Sequence, residues 1–337
     1  MPDVVAVFLF IGIVAYALLG GADFGAGFWD LLAGGARRGR EPRRLVDASL
    51  APVWEANHTW LIYCLVILWS GFPPAFAALT TTLYIPLMLA ALGIVLRGAG
   101  FAFRKASLRT PQQRVYGAAF ALSSVLTPYC FGAIAGALVS GRVPVQGDGD
   151  PVGSWINPTG VLGGVLAVLV CAYLAATYLT VEAHRRDGGR LYPYFRVRSI
   201  AAGLATGVVS LAGIFVLRAD APRLFHNLGH RALPLVVLAT AGGLLGLALL
   251  LGRRVRGLRV VAAGSVALIV CGWGVSQYPY VLGTHLTLTE AAAPDATLRV
   301  LVAVACLAAV VIVPSVVLLF RLAGRGSIGE PPPGDTP

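Results

Sequence analysis

The chain has 337 residues, of which 57% are hydrophobic and only 12% are charged. Soluble proteins carry about 25% charged residues, so this composition excludes an ordinary soluble domain. The net charge of +11 does not indicate nucleic-acid binding, because the basic residues stand in short segments between apolar runs, as in membrane proteins.

Apolar runs long enough to cross a bilayer recur along the whole chain. They predict an all-α polytopic membrane protein with nine transmembrane helices. The connections are short, so neighbouring helices are expected to be antiparallel and adjacent. In chain order the predicted spans are Val4–Ala33, Ser49–Phe72, Pro74–Leu96, Val115–Val139, Pro158–Thr180, Ile200–Leu217, Leu233–Leu251, Val260–Val275 and Leu298–Phe320.

The basic residues alternate between the two sides of these spans. Of the 26 Lys and Arg residues, 21 follow the first, third, fifth, seventh and ninth spans, and five lie on the other side. The positive-inside rule predicts that the 21 face the cytoplasm, with the N-terminus outside and the C-terminus cytoplasmic. We predict a single transmembrane domain over residues 1–325 and a disordered polar tail at residues 326–337.

The first predicted span contains a deep carboxylate. Asp23 stands in the glycine-rich run Gly20–Gly27, about ten residues or roughly 15 Å before the cytoplasmic end. Asp30 follows two helical turns later on the same face. The glycines leave room for close helix contact, or for water beside the carboxylate.

The second span opens with the segment Ser49–Leu61, which places Glu55 roughly 10 Å into the membrane. His58 lies three residues further on and shares a helix face with Glu55 and Trp54. An ionisable group inside a bilayer costs about 2.5–3.5 kcal/mol on insertion scales, so such residues indicate function.

Four titratable side chains thus fall in the cytoplasmic half of the first two spans. A pathway that admits protons from the cytoplasm needs such a series of titratable groups, and the sequence offers no matching series in the outer half of the membrane. We predict a proton pathway formed by Glu55, Asp23, His58 and Asp30.

A structural role for the acids competes with this interpretation. Acids near helix ends commonly pair with loop arginines, and this alternative is favoured for Asp30, Asp47 and Glu182. For the deeper Asp23 and Glu55 the functional role is favoured.

The chain offers no convincing metal or haem site. Each of the five cysteines falls inside an apolar span, and no two have the spacing of a metal site or a redox pair. His58 stands alone among the spans, whereas a haem needs axial ligands in the core. The other histidines fall in loops or at span ends: His184, His226, His230 and His285.

Several segments resemble subunit II of the cytochrome bd-type quinol oxidases. Gly20–Gly27 is similar to that family's glycine- and aspartate-rich segment, and Pro52–Trp60 is similar to its second-span signature, which is specific. Two weaker matches follow in the expected order. They are Asn157–Gly164 leading to Ala176–Leu179, and Tyr278–Tyr280 leading to Leu286–Ala293.

The resemblance implies a fold and a complex. Members have nine spans in two four-helix bundles plus one peripheral helix. A haem-bearing partner, subunit I, holds haems b and d and the quinol site, so this chain would bind no haem and hold no catalytic residue. The resemblance further implies the bacterial plasma membrane, contact with membrane lipid and, in some members, a structural quinone and a small accessory subunit.

The resemblance also implies roles for individual residues. Glu55 matches an acid of the proton pathway that leads from the cytoplasm to the oxygen-reducing haem, and Asp23 matches the acid of the first-span segment. The neighbourhood of Trp60 resembles one proposed to guide oxygen inward. The remaining matched residues are Trp54 and Asn57 in the second-span motif, and Arg97 and Arg104 in a basic segment after the third span.

The chain departs from the family pattern at two points. Gly20 and Gly21 occupy the stretch where many members have an additional aspartate, and Glu55 and Ala56 stand where many have aspartate and glycine. The glutamate keeps the carboxylate but changes its hydrogen-bond geometry. His58 suggests the cyanide-insensitive branch of the family.

Two other functions fit intramembrane acids. A proton-coupled secondary transporter would use them too, although such proteins often show broken helices and internal repeats, neither of which is evident in the sequence. A purely structural partner subunit would use them only to pair with arginines.

Overall fold

The computed structural model describes residues 1–35, 37–50, 54–106, 110–186 and 189–324. Over these ranges the chain forms thirteen helices and one short hairpin of two antiparallel strands. The tail predicted to be disordered, residues 326–337, lies outside the described residues. The elements are α1 (Pro2–Leu31), α2 (Arg40–Leu50), α3 (Trp54–Gly71), α4 (Pro73–Thr82), α5 (Tyr84–Ala106), α6 (Thr110–Val139), α7 (Pro158–Arg186), α8 (Tyr192–Asp220), α9 (Pro222–His230), α10 (Leu233–Leu251), α11 (Leu258–Gln277), β1 (Tyr280–Leu282), β2 (Leu286–Thr287), α12 (Leu288–Ala291) and α13 (Asp295–Gly324).

Seven of these helices are long and apolar enough to cross a bilayer: α1, α6, α7, α8, α10, α11 and α13. They coincide with the first predicted span and with the fourth to the ninth. The chain is therefore an all-helical, multi-pass membrane protein, as its composition predicts.

The second and third predicted spans differ from the structure. A continuous third helix over Pro74–Leu96 is wrong, because the chain breaks at Leu83 between α4 and α5. The cause is Pro86, which has no N–H to donate to the carbonyl of Thr82 and whose ring would clash with that carbonyl. Prolines also begin α4, and the apolar part of α3 meets α4 at a bend of 117°.

Helix α1 lies at the centre of the fold, where it packs against α3, α6, α7, α11 and α13. Glycines let the helices approach closely. A Cβ on Gly25 of α1 would collide with the backbone carbonyl of Cys171 on α7, and Gly132 on α6 meets Gly163 on α7 backbone to backbone. Small residues at such crossings are the usual means of packing transmembrane helices.

One end of the bundle is rich in arginine. Arg190 pairs with Glu41 across 3.8 Å, and Arg196 Nε donates to the carbonyl of Leu250 over 2.6 Å. These contacts join α2, the α7–α8 connection, α8 and α10, so their arginines share one end, called here the arginine-rich end. The amphipathic helix α2 lies at this end and buries Leu45 and Val46.

A polar cluster links three elements at the opposite end. Arg142 donates to both carboxylate oxygens of Asp220, which also accepts hydrogen bonds from the backbone N–H and the hydroxyl of Thr159. The hydrogen bonds to Asp220 raise the pKa of Arg142. The cluster ties the α6–α7 connection to the start of α7 and the end of α8.

The α6–α7 crossing yields a prediction for stability. Gly132→Ala adds a methyl group against the backbone of Gly163. The cost of overpacking is about 1–3 kcal/mol, so the melting temperature of the purified protein should fall. Gly243→Ala is the matched control, because a Cβ at Gly243 meets no atom within 4 Å. Equal melting temperatures for the two variants would contradict the close packing.

Candidate functional site

A buried ion pair joins α1 to α5 in the interior of the helix bundle. Arg97 Nη2 lies 2.7 Å from Asp23 Oδ1, and Arg97 Nε lies 3.2 Å from Asp23 Oδ2. The same Nη2 donates to the main-chain carbonyl of Asp23 over 2.7 Å. Asp23 is 3% exposed and Arg97 is 2% exposed, so both charges are removed from solvent and lipid. In this bidentate geometry a guanidinium binds a carboxylate more strongly than it does through a single hydrogen bond.

Side chains from α1 and α6 complete the surroundings of the guanidinium. Ser124 of α6 hydrogen-bonds to Arg97 Nη1. The rings of Phe24 and Phe120 lie 5.2 Å and 4.3 Å from the guanidinium carbon, within the range of cation–π contact. A Cβ at Gly27 would lie 2.8 Å from Arg97 Nη1 and collide with Ser124. The glycine-rich run therefore provides close helix contact around the pair.

The sequence prediction for Arg97 is wrong in one respect. It counted Arg97 among the basic residues of the connection after the third span, whereas the structure puts it inside α5, fully buried. The signal was present, because Arg97 is a charge within an apolar run, the same criterion that singled out Asp23. Arg104 also lies within α5, but its side chain is outside the described part of the structure.

His58 on α3 lies close to this pair. Its ring centroid is 6.3 Å from that of Tyr16 and 6.2 Å from that of Phe24, and Phe24 also contacts Arg97. The hydroxyl of Tyr63, further along α3, donates to the carbonyl of Phe8 on α1 over 3.2 Å. The helices of the first two predicted spans are thus packed side by side, and His58 approaches the pair through a shared aromatic ring.

The remaining residues of the second-span motif are described only in part. Glu55 and Trp54 belong to the first turn of α3, but their side chains lie outside the described residues. Asn57 is 5% exposed and lines a cavity between α1, α3, α7 and α11. Trp60 packs edge-on against Tyr63, with the ring centroids 6.1 Å apart.

Acids nearer the arginine-rich end pair with arginines. Arg43 of α2 holds the buried carboxylate of Asp30 at 2.7 Å and also donates to the carbonyl of Gly34 over 2.6 Å. Glu182 on α7 is held at 2.6 Å by Arg259 of α11. The pairing alternative is therefore confirmed for Asp30 and Glu182. Asp23 and Asp30 do not share one arginine, because each has its own partner.

Potential metal ligands are scattered. All five cysteines are free. Among the residues that the structure describes, no three side chains of His, Cys, Asp or Glu come together in a way that could hold a metal ion. The other four histidines are exposed, in loops or near helix ends. The chemistry available in the interior is that of ion pairs and single polar groups.

The buried pair yields a prediction for stability. Arg97→Leu leaves the carboxylate of Asp23 buried without a counter-charge, which typically costs about 3–5 kcal/mol. The melting temperature of the purified protein should fall sharply, and adding Asp23→Asn should restore much of it. Arg190→Gln is the control, because its exposed pair with Glu41 is worth about 0–1 kcal/mol. If Arg97→Leu were as mild as Arg190→Gln, the pair would not hold α1 and α5 together.

Comparison with known proteins agrees with this architecture. The sequence model of the family described as "Cytochrome bd terminal oxidase subunit II" matches residues 1–323. The chain is 25% identical over 304 residues to the cytochrome bd ubiquinol oxidase subunit 2 of Bacillus subtilis (strain 168), covering 87% of this chain and 86% of the relative. It is 29% identical over 219 residues to the cytochrome bd-I ubiquinol oxidase subunit 2 of Escherichia coli (strain K12), covering 62% and 56% respectively.

A solved structure has the same fold. The bd oxidase from Geobacillus thermodenitrificans contains a chain that matches this one with a TM-score of 0.76 at 22% sequence identity, covering 95% of this chain and 98% of the other. The family match extends over nearly the whole sequence, including both motifs that carry the resemblance. The chain therefore belongs to the family of cytochrome bd terminal oxidase subunit II.

Proposed function

We propose that this chain is the haem-free subunit of a membrane quinol:oxygen oxidoreductase, a terminal oxidase of the aerobic respiratory chain. The family match over residues 1–323 carries the proposal. The relatives from Bacillus subtilis and Escherichia coli are named ubiquinol oxidase subunits, which supports quinol as the reductant. A proton-coupled transporter has no comparable support. In this function the chain stabilises a haem-bearing partner and delivers protons for the reduction of oxygen to water.

The haems b and d and the quinol site belong to the partner, subunit I. The histidines of this chain support that division, because His58 is half-buried between helices and the other four are exposed. A haem held within one chain needs axial ligands that converge on its iron. When bound in the partner, the haems supply electron transfer and oxygen chemistry. This chain supplies helix contacts and polar groups.

The membrane arrangement follows from the same proposal. Seven helices meet the criteria for a span, and α3 and α5 would complete nine, since α5 contains the shorter apolar stretch Tyr84–Gly100. They would form two four-helix bundles and one peripheral helix, in a bacterial plasma membrane. The arginine-rich end would face the cytoplasm, with the N-terminus outside and the C-terminus inside.

Glu55 is the proposed proton relay. It lies in the first turn of α3, so protons would enter near the arginine-rich end. Asp23 is proposed as a second polar group of the pathway, but its contact with Arg97 gives it a different role from that of Glu55. Arg97 contacts both carboxylate oxygens of Asp23, at 2.7 Å and 3.2 Å, so Asp23 would mainly position the helices beside the pathway. His58 lies near Asp23, and Asp30 lies at the end of α1 that would face the cytoplasm.

Further features follow from the family alone. Trp54, Asn57 and Trp60 would support the relay or guide oxygen inward, and Arg97 and Arg104 would be structural basic residues. A quinone held as a structural lipid and a small accessory subunit are additional proposals for the assembled complex.

Replacing the relay acid tests the proposed function. Glu55→Gln in the purified complex should leave the haem content unchanged and slow oxygen consumption with quinol about tenfold or more, since positioned proton donors and acceptors contribute about 10²–10⁴-fold. Glu55→Asp should retain more activity, because it keeps the carboxylate.

Glu41→Gln is the matched control, because Glu41 is an exposed acid on α2 at the same end of the bundle. Its oxygen consumption should equal that of the wild type. Unchanged oxygen consumption in Glu55→Gln would exclude the relay and leave a purely structural subunit.

A further inference from the structure

A cavity of about 230 Å³ lies between α1, α3, α7 and α11, apart from the buried pair of Asp23 and Arg97. Leu18, Leu19 and Ala22 of α1 form one wall, and Leu174 of α7 with Ala262 of α11 continues the apolar lining. The α1 residues are half-buried, so this wall reaches the surface of the bundle. In a membrane-spanning chain that surface is open to lipid.

Polar groups lie at one end of the cavity. Arg259 is the second residue of α11, and Asn57 stands in the first turn of α3. Arg259 also donates a hydrogen bond to the backbone carbonyl of Tyr178 on α7, so this part of α7 lies beside the start of α11. The adjoining residue, Thr177, lines the cavity as well. The cavity is therefore amphipathic, with its polar end at the arginine-rich end of the bundle.

One hydrogen-bond donor at this end is unused. The buried hydroxyl of Thr177 faces that of Tyr173, one turn earlier on α7, so these two groups have each other as partners. Arg259 donates from Nη2 to Glu182 and to the carbonyl of Tyr178, but its buried Nε–H has no acceptor among the described residues. A buried donor without an acceptor destabilises the fold, so an occupant with acceptor oxygens would be stabilising.

The arginines near the cavity favour a negatively charged occupant. Arg253, Arg254 and Arg256 are exposed in the connection directly before α11, next to Arg259. Glu182 compensates only one of these positive charges. Phosphate groups of acidic lipids are attracted to such arginine clusters at a membrane surface. At about 230 Å³ the cavity is smaller than the pockets of drug-sized ligands, which measure about 300–1,000 Å³, so it has room for only part of one lipid.

We propose that this cavity binds one acidic phospholipid of the leaflet at the arginine-rich end. Its phosphate and ester oxygens accept hydrogen bonds from Arg259 and Asn57, and an acyl chain lies along Leu18, Leu19 and Leu174. The bound lipid joins α1 to α11 at a place where protein side chains leave space. This site is independent of the proposed oxidase activity, because it rests on the cavity and its unused donor.

Lipid binding to the purified, delipidated complex tests the proposal. Phosphatidylglycerol and phosphatidylcholine are titrated separately, and bound lipid is counted by native mass spectrometry. The wild type should bind one phosphatidylglycerol in preference to phosphatidylcholine. Ala263→Phe fills the cavity with a ring and should weaken this binding about tenfold, equivalent to about 1.4 kcal/mol.

A matched control variant makes the result specific. Ala241→Phe changes an exposed residue of α10, away from the cavity, and should bind phosphatidylglycerol like the wild type. Equal binding of phosphatidylcholine, a neutral isoprenoid quinone retained in place of phospholipid, or equal binding by Ala263→Phe and Ala241→Phe would each overturn the proposal. Because the readout is bound mass, failure here leaves the test of Glu55 unaffected.

Discussion

The ion pair between Asp23 and Arg97 is the interaction on which the centre of this fold depends. It joins α1, the helix with the most neighbours, to α5, and Ser124 extends the link to α6. Two opposite charges in an apolar interior are tolerated only together, since either one alone costs several kcal/mol. The pair therefore requires one relative position of α1 and α5, and Gly27 leaves space for the guanidinium. Apolar packing alone would allow these helices to slide.

This constraint also organises the polar groups that matter for function. His58 shares the ring of Phe24 with the guanidinium, so α3 is positioned against the same pair that holds α1 and α5. Because α3 also carries Glu55 in its first turn, the pair would set the position of the proposed relay. Acids closer to the arginine-rich end, Asp30 and Glu182, each have a dedicated arginine. In the proposed function these arginine-paired acids would hold the helices in place, and Glu55 would carry protons.

Much of this architecture could be predicted from the sequence. Hydropathy located seven spans, because burial in lipid requires long apolar runs. The two motifs pointed to the correct family, since Gly20–Gly27 and Pro52–Trp60 combine residue types that are rare inside a membrane. The pairing of Asp30 with an arginine was among the predicted alternatives, because acids near helix ends meet the basic connections.

Other features could not be predicted, for physical reasons. Hydropathy does not register the loss of a backbone hydrogen bond at Pro86, so the break at Leu83 was missed. The position of Arg97 within an apolar run was a readable signal, but its pairing with Asp23, 74 residues away in sequence, follows only from the packing of the helices. The partner of Glu182 is Arg259, 77 residues away in sequence, and only the packing of α7 against α11 brings them together. The cavity beside them depends on the same packing.

The central claim is that this chain works as the haem-free half of an oxidase whose haems lie in a partner. Its most direct test is to tag the chain, purify it from native membranes in mild detergent, and record a reduced-minus-oxidised visible spectrum. The account predicts absorption bands of haems b and d together with a second, haem-bearing membrane subunit. A chain recovered in good yield, colourless and without a partner, would contradict it.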